Sequence, residues 1–256
     1  MIEFDQVRRS YGDRVAVDCL DLRVAAGELY SLLGHNGAGK TTTIKLLVGL
    51  LRPEAGTIRV GGYDVVTQTR LATSLIGYVP DQPFLYEKLT GREFLQFVAQ
   101  MYGLDAAHVA RVIDREIERF ELAEFADELT EQYSHGMKQR TVFASALLNS
   151  PRALVLDEPL VGLDPHSIRL VKDLLCAEGR TGMCVLMSTH TLAAAEEISH
   201  RVGIMSHGKL IFDGTLAELR ERFPGGDQSL ESMYLAMTEP PSRNAETTGS
   251  ELFFEK

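Results

Sequence analysis

The residues Gly34-His35-Asn36-Gly37-Ala38-Gly39-Lys40-Thr41 have the types and spacing to hold a polyphosphate, matching G-x-x-x-x-G-K-[ST] at every fixed position. Glycines let a backbone fold around phosphate oxygens, and the loop N–H groups with the N-terminus of a following helix supply positive potential. Lys40 would reach the β- and γ-phosphates, while the Thr41 hydroxyl would ligate Mg2+. The context agrees: Leu29 to Leu33 reads as a strand and Thr42 to Leu51 as a helix. A second pattern, Ala153-Leu154-Val155-Leu156-Asp157-Glu158, is an apolar strand ending in two acids. A carboxylate there is costly unless it meets a cation. Asp157 would hold Mg2+, directly or through water, and Glu158 would polarise an attacking water as general base. Together the two patterns specify a nucleoside triphosphatase without saying which kind.

Tyr133-Ser134-His135-Gly136-Met137-Lys138-Gln139-Arg140 narrows the choice. Ser134-x-Gly136 ahead of an amphipathic run is a helix start whose hydroxyl and N–H groups can face an anion. The segment resembles the signature motif of ATP-binding cassette (ABC) ATPases, usually L-S-G-G-Q-x-Q-R. Ser134, Gly136, Gln139 and Arg140 match, whereas Tyr133, His135 and Met137 depart. Gly162-Leu163-Asp164-Pro165 looks like the family's D-loop and Ser188-Thr189-His190 like its switch histidine. Tyr11 sits where the family stacks an aromatic on adenine. In Val79-Pro80-Asp81-Gln82 the family usually has glutamine directly after the proline; here Asp81 takes that place and Gln82 follows. This acid, the Tyr-Ser-His-Gly signature and Leu85 to Gly91 look like the branch whose ATPases work with separate exporter-type permeases. The resemblance spans about Met1 to Leu219.

The resemblance implies an α/β fold, a P-loop NTPase sandwich with a mixed sheet core and an inserted helical subdomain. It implies ATP with Mg2+, bound by Tyr11, Gly34, His35, Asn36, Gly37, Ala38, Gly39, Lys40, Thr41, Thr42 and Asp81 or Gln82. Thr41, Asp157 and Asp81 or Gln82 would face the metal, Glu158 would activate water, and His190 would contact the γ-phosphate. Ser134, His135 and Gly136 would act on the ATP of a partner subunit, in a homodimer or a heterodimer, with Asp164 coupling the two sites. His135 replaces a glycine, so its backbone N–H serves only if its φ suits a residue with a Cβ. The implied role is the ATPase subunit of an exporter, with the helical insert and the loop from Asp81 to Tyr86 docked on an integral membrane permease at the cytoplasmic face. The alternative is a soluble ABC protein of translation or DNA repair. Those usually carry two cassettes or a long coiled-coil insert, and this chain shows one cassette and neither extra feature.

The elements that must position these residues are short apolar runs alternating with longer helical patterns. Leu29 to Leu33, Thr57 to Val60, Ala153 to Leu156, Cys184 to Met187 and Val202 to Met205 read as strands, most of them apolar throughout, as expected of strands covered on both faces. From about 89 to 148 the pattern is helical without strands. Thr90-Gly91-Arg92-Glu93 is a capping box, followed by Phe94, Phe97, Val98 and Met101 on one face, with Gly103 as the stop. A second helix from Asp105 carries Val109, Val112, Ile113, Ile117 and Phe120 at helical spacing. The expected division is an ATPase domain over 1–220 and a partly flexible extension over 221–256. Pro224-Gly225-Gly226-Asp227 marks the break, and the polar stretch 239–250 ends in Leu252-Phe253-Phe254, a frayed end or a docking point.

Composition sets the outer limits. The chain has 256 residues, 45% of them hydrophobic and 24% charged, which suits a soluble globular protein with a sizeable core. With 36 acidic and 26 basic residues, the formal charge is −10, which argues against binding nucleic acid or anionic lipid through a general field. Three cysteines, Cys19, Cys176 and Cys184, form no C-x-x-C pair and point to a reducing cytoplasm rather than a zinc or disulfide framework. The acidic N-terminus lacks a signal-peptide core. The apolar run Leu46 to Leu51 is far short of the ~20 residues that cross a bilayer, so no transmembrane segment of its own is expected.

Overall fold

The computed structural model describes residues 1–224 and 229–238. The expected break at 225–227, the polar stretch 239–250 and the apolar residues 252–254 lie outside the described residues. Ten strands form two sheets: β1 (Ile2–Tyr11), β2 (Arg14–Val24), β3 (Leu29–Leu33), β4 (Ala55–Val60), β5 (Tyr63–Asp64), β6 (Ile76–Val79), β7 (Ala153–Asp157), β8 (Cys184–Thr189), β9 (Arg201–Ser206) and β10 (Lys209–Gly214). The helices are α1 (Lys40–Leu47), α2 (Thr69–Thr73), α3 (Gly91–Met101), α4 (Ala106–Arg119), α5 (His135–Leu147), α6 (Pro165–Arg180), α7 (Leu192–Ile198), α8 (Leu216–Glu221) and α9 (Leu230–Thr238).

The larger sheet runs β10-β9-β3-β8-β7-β6, parallel except for β10 at its edge. Its continuous apolar strands are explained by two cores. Ala153, Val155, Cys184 and Leu186 face one, shared with the antiparallel sheet β2-β1-β4-β5 and with α1. Leu154, Leu156, Val185 and Met187 face the other, shared with α3, α4, α5 and α6. Helix α1 touches β2 and β4 on one side and β7 and β8 on the other, so it lies between the sheets. A third cluster joins Leu33 at the end of β3 to Leu230 and Met233 of α9.

Register places the chemistry. Leu33 pairs with Thr189, and Asp157 pairs with Ser188, so β3, β8 and β7 end side by side. The residues that follow them, Gly34, His190 and Glu158, therefore emerge at one edge, the carboxyl ends of parallel strands where open α/β sheets bind ligands.

Between β6 and β7 the described residues form α3, α4, a 3-10 turn at Thr130–Gln132 and α5, with no strand beyond a bridge of Thr90 to Leu129. Thr90 caps α3 and Glu93 bonds back to Thr90, as the capping box predicts. The buried face differs from the expected one. Phe94, Leu95 and Ala99 are buried, whereas Phe97 and Met101 are 38% and 74% exposed. On α4, Val109, Ile113 and Ile117 are buried as expected, and Glu116 lies fully buried among them, paired with Arg115 and Arg119. Arg119 also pairs with Glu178 of α6, tying the insert to the sheet layer.

Phe120 and Phe143 stack at 5.9 Å between ring centroids, each 1% exposed, where α4 meets α5. Removing a buried ring leaves a cavity as well as lost transfer energy. Phe143→Ala is expected to cost about 3–5 kcal/mol of stability, seen as a lower urea midpoint.

Candidate functional site

Helix α1 starts directly after the loop 34–39. Its N-cap is Gly39, which offers no side chain, so the first amides of the helix are open to an anion. Gly39 adopts φ 114, and a Cβ there would run into the Ala16 carbonyl of β2. No other residue fits. Lys40, the first residue of α1, is 6% exposed. Its Nζ donates to the Gly34 carbonyl at 2.6 Å and lies 3.4 Å from Glu158 Oε1.

Glu158 has a left-handed φ of 49, and its N–H donates to both the Ser188 carbonyl and Oγ at 3.1 Å. This kinked backbone turns the carboxylate back over the strand ends. Oε2 accepts from His190 N at 3.2 Å and faces His190 Nδ1 at 2.9 Å. Glu158 thus stands between an ammonium and an imidazole.

Asp157, one residue earlier, is fully buried. Its Oδ1 accepts from Ser188 Oγ at 2.5 Å and Thr41 Oγ1 at 3.3 Å, while Oδ2 is buried without a partner. Burial pushes this carboxyl above its ordinary range, the two hydroxyls oppose the shift, and the charges of Asp81 and Glu158 add to it. An orphaned carboxylate oxygen next to a threonine hydroxyl is a hard-oxygen donor set that suits Mg2+. The residues present fit that ion.

A cavity of about 480 Å3 opens over these groups, lined by Tyr11, His35, Asn36, Gly37, Gly39, Lys40, Thr41, Thr42, Asp81 and Glu158, with Arg14 and Ala16. Asp81 lines it and Gln82 does not, so of the two candidates the structure brings Asp81 to the loop. Gly34 and Ala38 do not line the cavity, and a Cβ at Gly34 would meet the Met205 carbonyl at 2.7 Å and the Ala38 Cβ at 2.9 Å. Tyr11 is 48% exposed, with the Arg9 guanidinium 5.4 Å from its ring centre.

Sequence reasoning missed Arg14 and Ser188. Arg14 pairs across the hairpin from Tyr11, and its Nη2 donates to the Gly37 carbonyl at 3.1 Å. The signal for it was Tyr11-Gly12-Asp13-Arg14, a tight turn that returns the chain to the same end of the sheet. Ser188 is betrayed only by strand register.

The signature segment stands elsewhere. Ser134 caps α5, its Oγ accepting from Met137 N at 3.3 Å, and His135 is the first helical residue with an ordinary negative φ. The Cβ at 135 therefore costs no strain. Tyr133 anchors the segment by donating its hydroxyl to the Phe125 carbonyl at 2.7 Å. Asp164 caps α6, accepting from Ser167 N at 3.0 Å and Ser167 Oγ at 2.7 Å, which holds its carboxyl below the usual range. Ser134, His135, Gly136 and Asp164 do not line the loop cavity.

Residues 17–161 match the family model described as ABC transporter. The Nod factor export ATP-binding protein I of Paraburkholderia xenovorans is 38% identical, over 85% of this chain and 72% of that protein. The daunorubicin resistance ATP-binding protein DrrA3 of Streptomyces coeruleorubidus is 39% identical, over 89% of this chain and 72% of its own length. The linearmycin resistance ATP-binding protein LnrL of Bacillus subtilis is 36% identical over 90% and 74%. A solved ATP-binding subunit of an ABC transporter superposes with TM-score 0.87 at 32% identity, covering 93% of this chain and all of that one. A dimeric ATP-binding cassette with bound ADP and Pi shares the fold, with TM-score 0.74 at 24% identity over 84% of this chain and 99% of that one.

A buried carboxylate with an unpartnered oxygen destabilises the nucleotide-free fold, because a neutral amide in its place carries no charge to desolvate. Asp157→Asn is expected to raise the urea midpoint of the nucleotide-free chain at pH 7 and to abolish the additional stabilisation that Mg2+ gives over ATP alone. A lower midpoint would show that the carboxylate is already satisfied.

Proposed function

Because the chain belongs to the ABC transporter family as an ATP-binding ATPase, we propose that it pairs with a second such subunit over two ATP molecules and drives an exporter-type permease. The relatives named for Nod factor export and for daunorubicin and linearmycin resistance support an export role. Among the described residues no helix is long and apolar enough to cross a membrane, which fits a subunit held at the cytoplasmic face by its permease. The ATPase domain is taken as 1–220, with the helical insert of 89–148 and the loop from Asp81 to Tyr86 facing that permease.

One observation carries the catalytic reading. Glu158 Oε1 lies 3.4 Å from Lys40 Nζ, and its Oε2 lies 2.9 Å from His190 Nδ1. Phosphates entering the loop would take hydrogen bonds from the open amides of α1 and from Lys40, which then shares its charge between Glu158 and the nucleotide. Tyr11 would stack on the base, and Arg14 would add a second cation at the rim. Glu158, fixed by its kinked backbone, would accept the proton of the attacking water. His190 would hold that carboxylate and approach the γ-phosphate. Thr41 and Asp157, with Asp81, would hold Mg2+, which when bound neutralises charge developing on the phosphates. Ser134, Gly136 and the backbone N–H of His135 would face the partner's ATP, and closing that second surface would exclude water and strengthen each contact with phosphate.

Glu158→Gln is expected to keep ATP binding, lose turnover by at least about 100-fold and accumulate an ATP-bound dimer on gel filtration. Turnover at the wild-type rate would remove Glu158 from the reaction. Tyr11→Ala is expected to weaken ATP by about 1–3 kcal/mol, read by titration with a fluorescent nucleotide, with GTP affected similarly because stacking tolerates either base.

A further inference from the structure

The segment that follows Glu158 is strapped to the signature helix by two side chains one turn apart. Gln139 Nε2 donates to the Pro159 carbonyl at 3.4 Å, and His135 Nε2 lies 3.2 Å from the Val161 carbonyl. Positions i and i+4 share one face of α5, so both side chains grip the same stretch. A carbonyl oxygen only accepts, so His135 carries a proton on Nε2 in either charge state of the ring. The ring rests over Gly162, whose φ is 74 and whose Cβ, if present, would stand 3.0 Å from the imidazole. Glycine at 162 therefore serves both the backbone turn and the seat of the ring. The usual glycine of the family at position 135 has no side chain to make this bond.

The two grips differ in kind. Gln139 is 2% exposed and belongs to the core, whereas His135 is exposed and can be altered without opening a cavity. Only Pro159 and Leu160 lie between Glu158 and Val161, and the Glu158 N–H is itself fixed to Ser188. The start of α5 and the Glu158 carboxylate are thus joined through a short, doubly anchored segment.

We propose that His135 is a positioning residue, whose Nε2–H bond to the Val161 carbonyl locks the start of the signature helix to the Glu158 loop of the same chain. Presenting Ser134 and Gly136 to a partner's ATP and setting Glu158 on the chain's own ATP then become one movement. The inference rests on the paired-subunit reading above.

The test measures ATP-driven dimerisation of the full chain by sedimentation, comparing Glu158→Gln alone with the same variant carrying His135→Ala or His135→Gln. One hydrogen bond corresponds to roughly a two- to ten-fold change. His135→Ala is expected to weaken dimerisation by that factor. His135→Gln, whose amide also donates, is expected to restore it. Dimerisation unaffected by His135→Ala, or lost equally with His135→Gln, overturns the inference; the second result would mark the imidazole as a direct contact to the partner's phosphate. If Glu158→Gln alone forms no dimer with ATP, the paired-subunit reading itself fails and takes the inference with it.

Discussion

Lys40 is a buried ammonium, and much of the architecture serves to keep it supplied with acceptors. Taking an ion out of water costs several kcal/mol unless close, well-placed partners replace the solvent. Here the Gly34 carbonyl at 2.6 Å and Glu158 at 3.4 Å do so. Neither partner is near Lys40 in the chain by accident of sequence alone. Glu158 arrives because β7 runs parallel to β8, and β8 parallel to β3, in a register that ends all three together. A slip of one residue would turn each strand's side chains to the opposite core and carry Glu158 away. The apolar strands are therefore the device that fixes the charged ones.

The same edge of the sheet holds an electrostatic imbalance. Asp81, Asp157 and Glu158 stand against Lys40 and Arg14, so the site is not cationic before any phosphate enters. In a chain of net charge −10, a polyphosphate gains nothing from the general field. Attraction must come from short-range donors: the amides at the uncapped start of α1 and the Lys40 ammonium. Burial is the main cause that pushes the Asp157 carboxyl above its ordinary range, and the charges of Asp81 and Glu158 add to it.

The sequence was legible where a pattern is local. The loop at 34–41, the capping box at Thr90 and the apolar strands β3, β7, β8 and β9 are each dictated by neighbours within a few positions. Strands β1, β2 and β10 escaped because their pairing is interrupted by register shifts near Val7, Arg9 and Leu210, which break the alternation of buried and exposed residues. Strand β6 is four residues long and offers no period to read. The face of α3 was misjudged at Met101 because hydrophobicity says which residues can be buried, not how far the next layer extends. Ser188 and Arg14 were invisible for a different reason. Their roles come from strand register and a hairpin turn, and both residue types are common on any surface.

The placement of the signature segment supplies the last constraint. Ser134 and Gly136 sit at a capped helix start, with the Tyr133 hydroxyl bonded to the Phe125 carbonyl on one side and Asp164 near Gly136 on the other. A preorganised surface loses little entropy when it meets a ligand. Yet these residues do not line the loop cavity of their own chain, where α1 already supplies an open helix terminus. The start of α5 does not line the cavity that the start of α1 opens onto, whereas in the proposed pair two copies would bring unlike helix ends together with ATP between them. ATP would then be the adhesive of the proposed pair. Loss of the γ-phosphate would remove charge held between those two helix ends, and opening of the proposed pair would follow from hydrolysis.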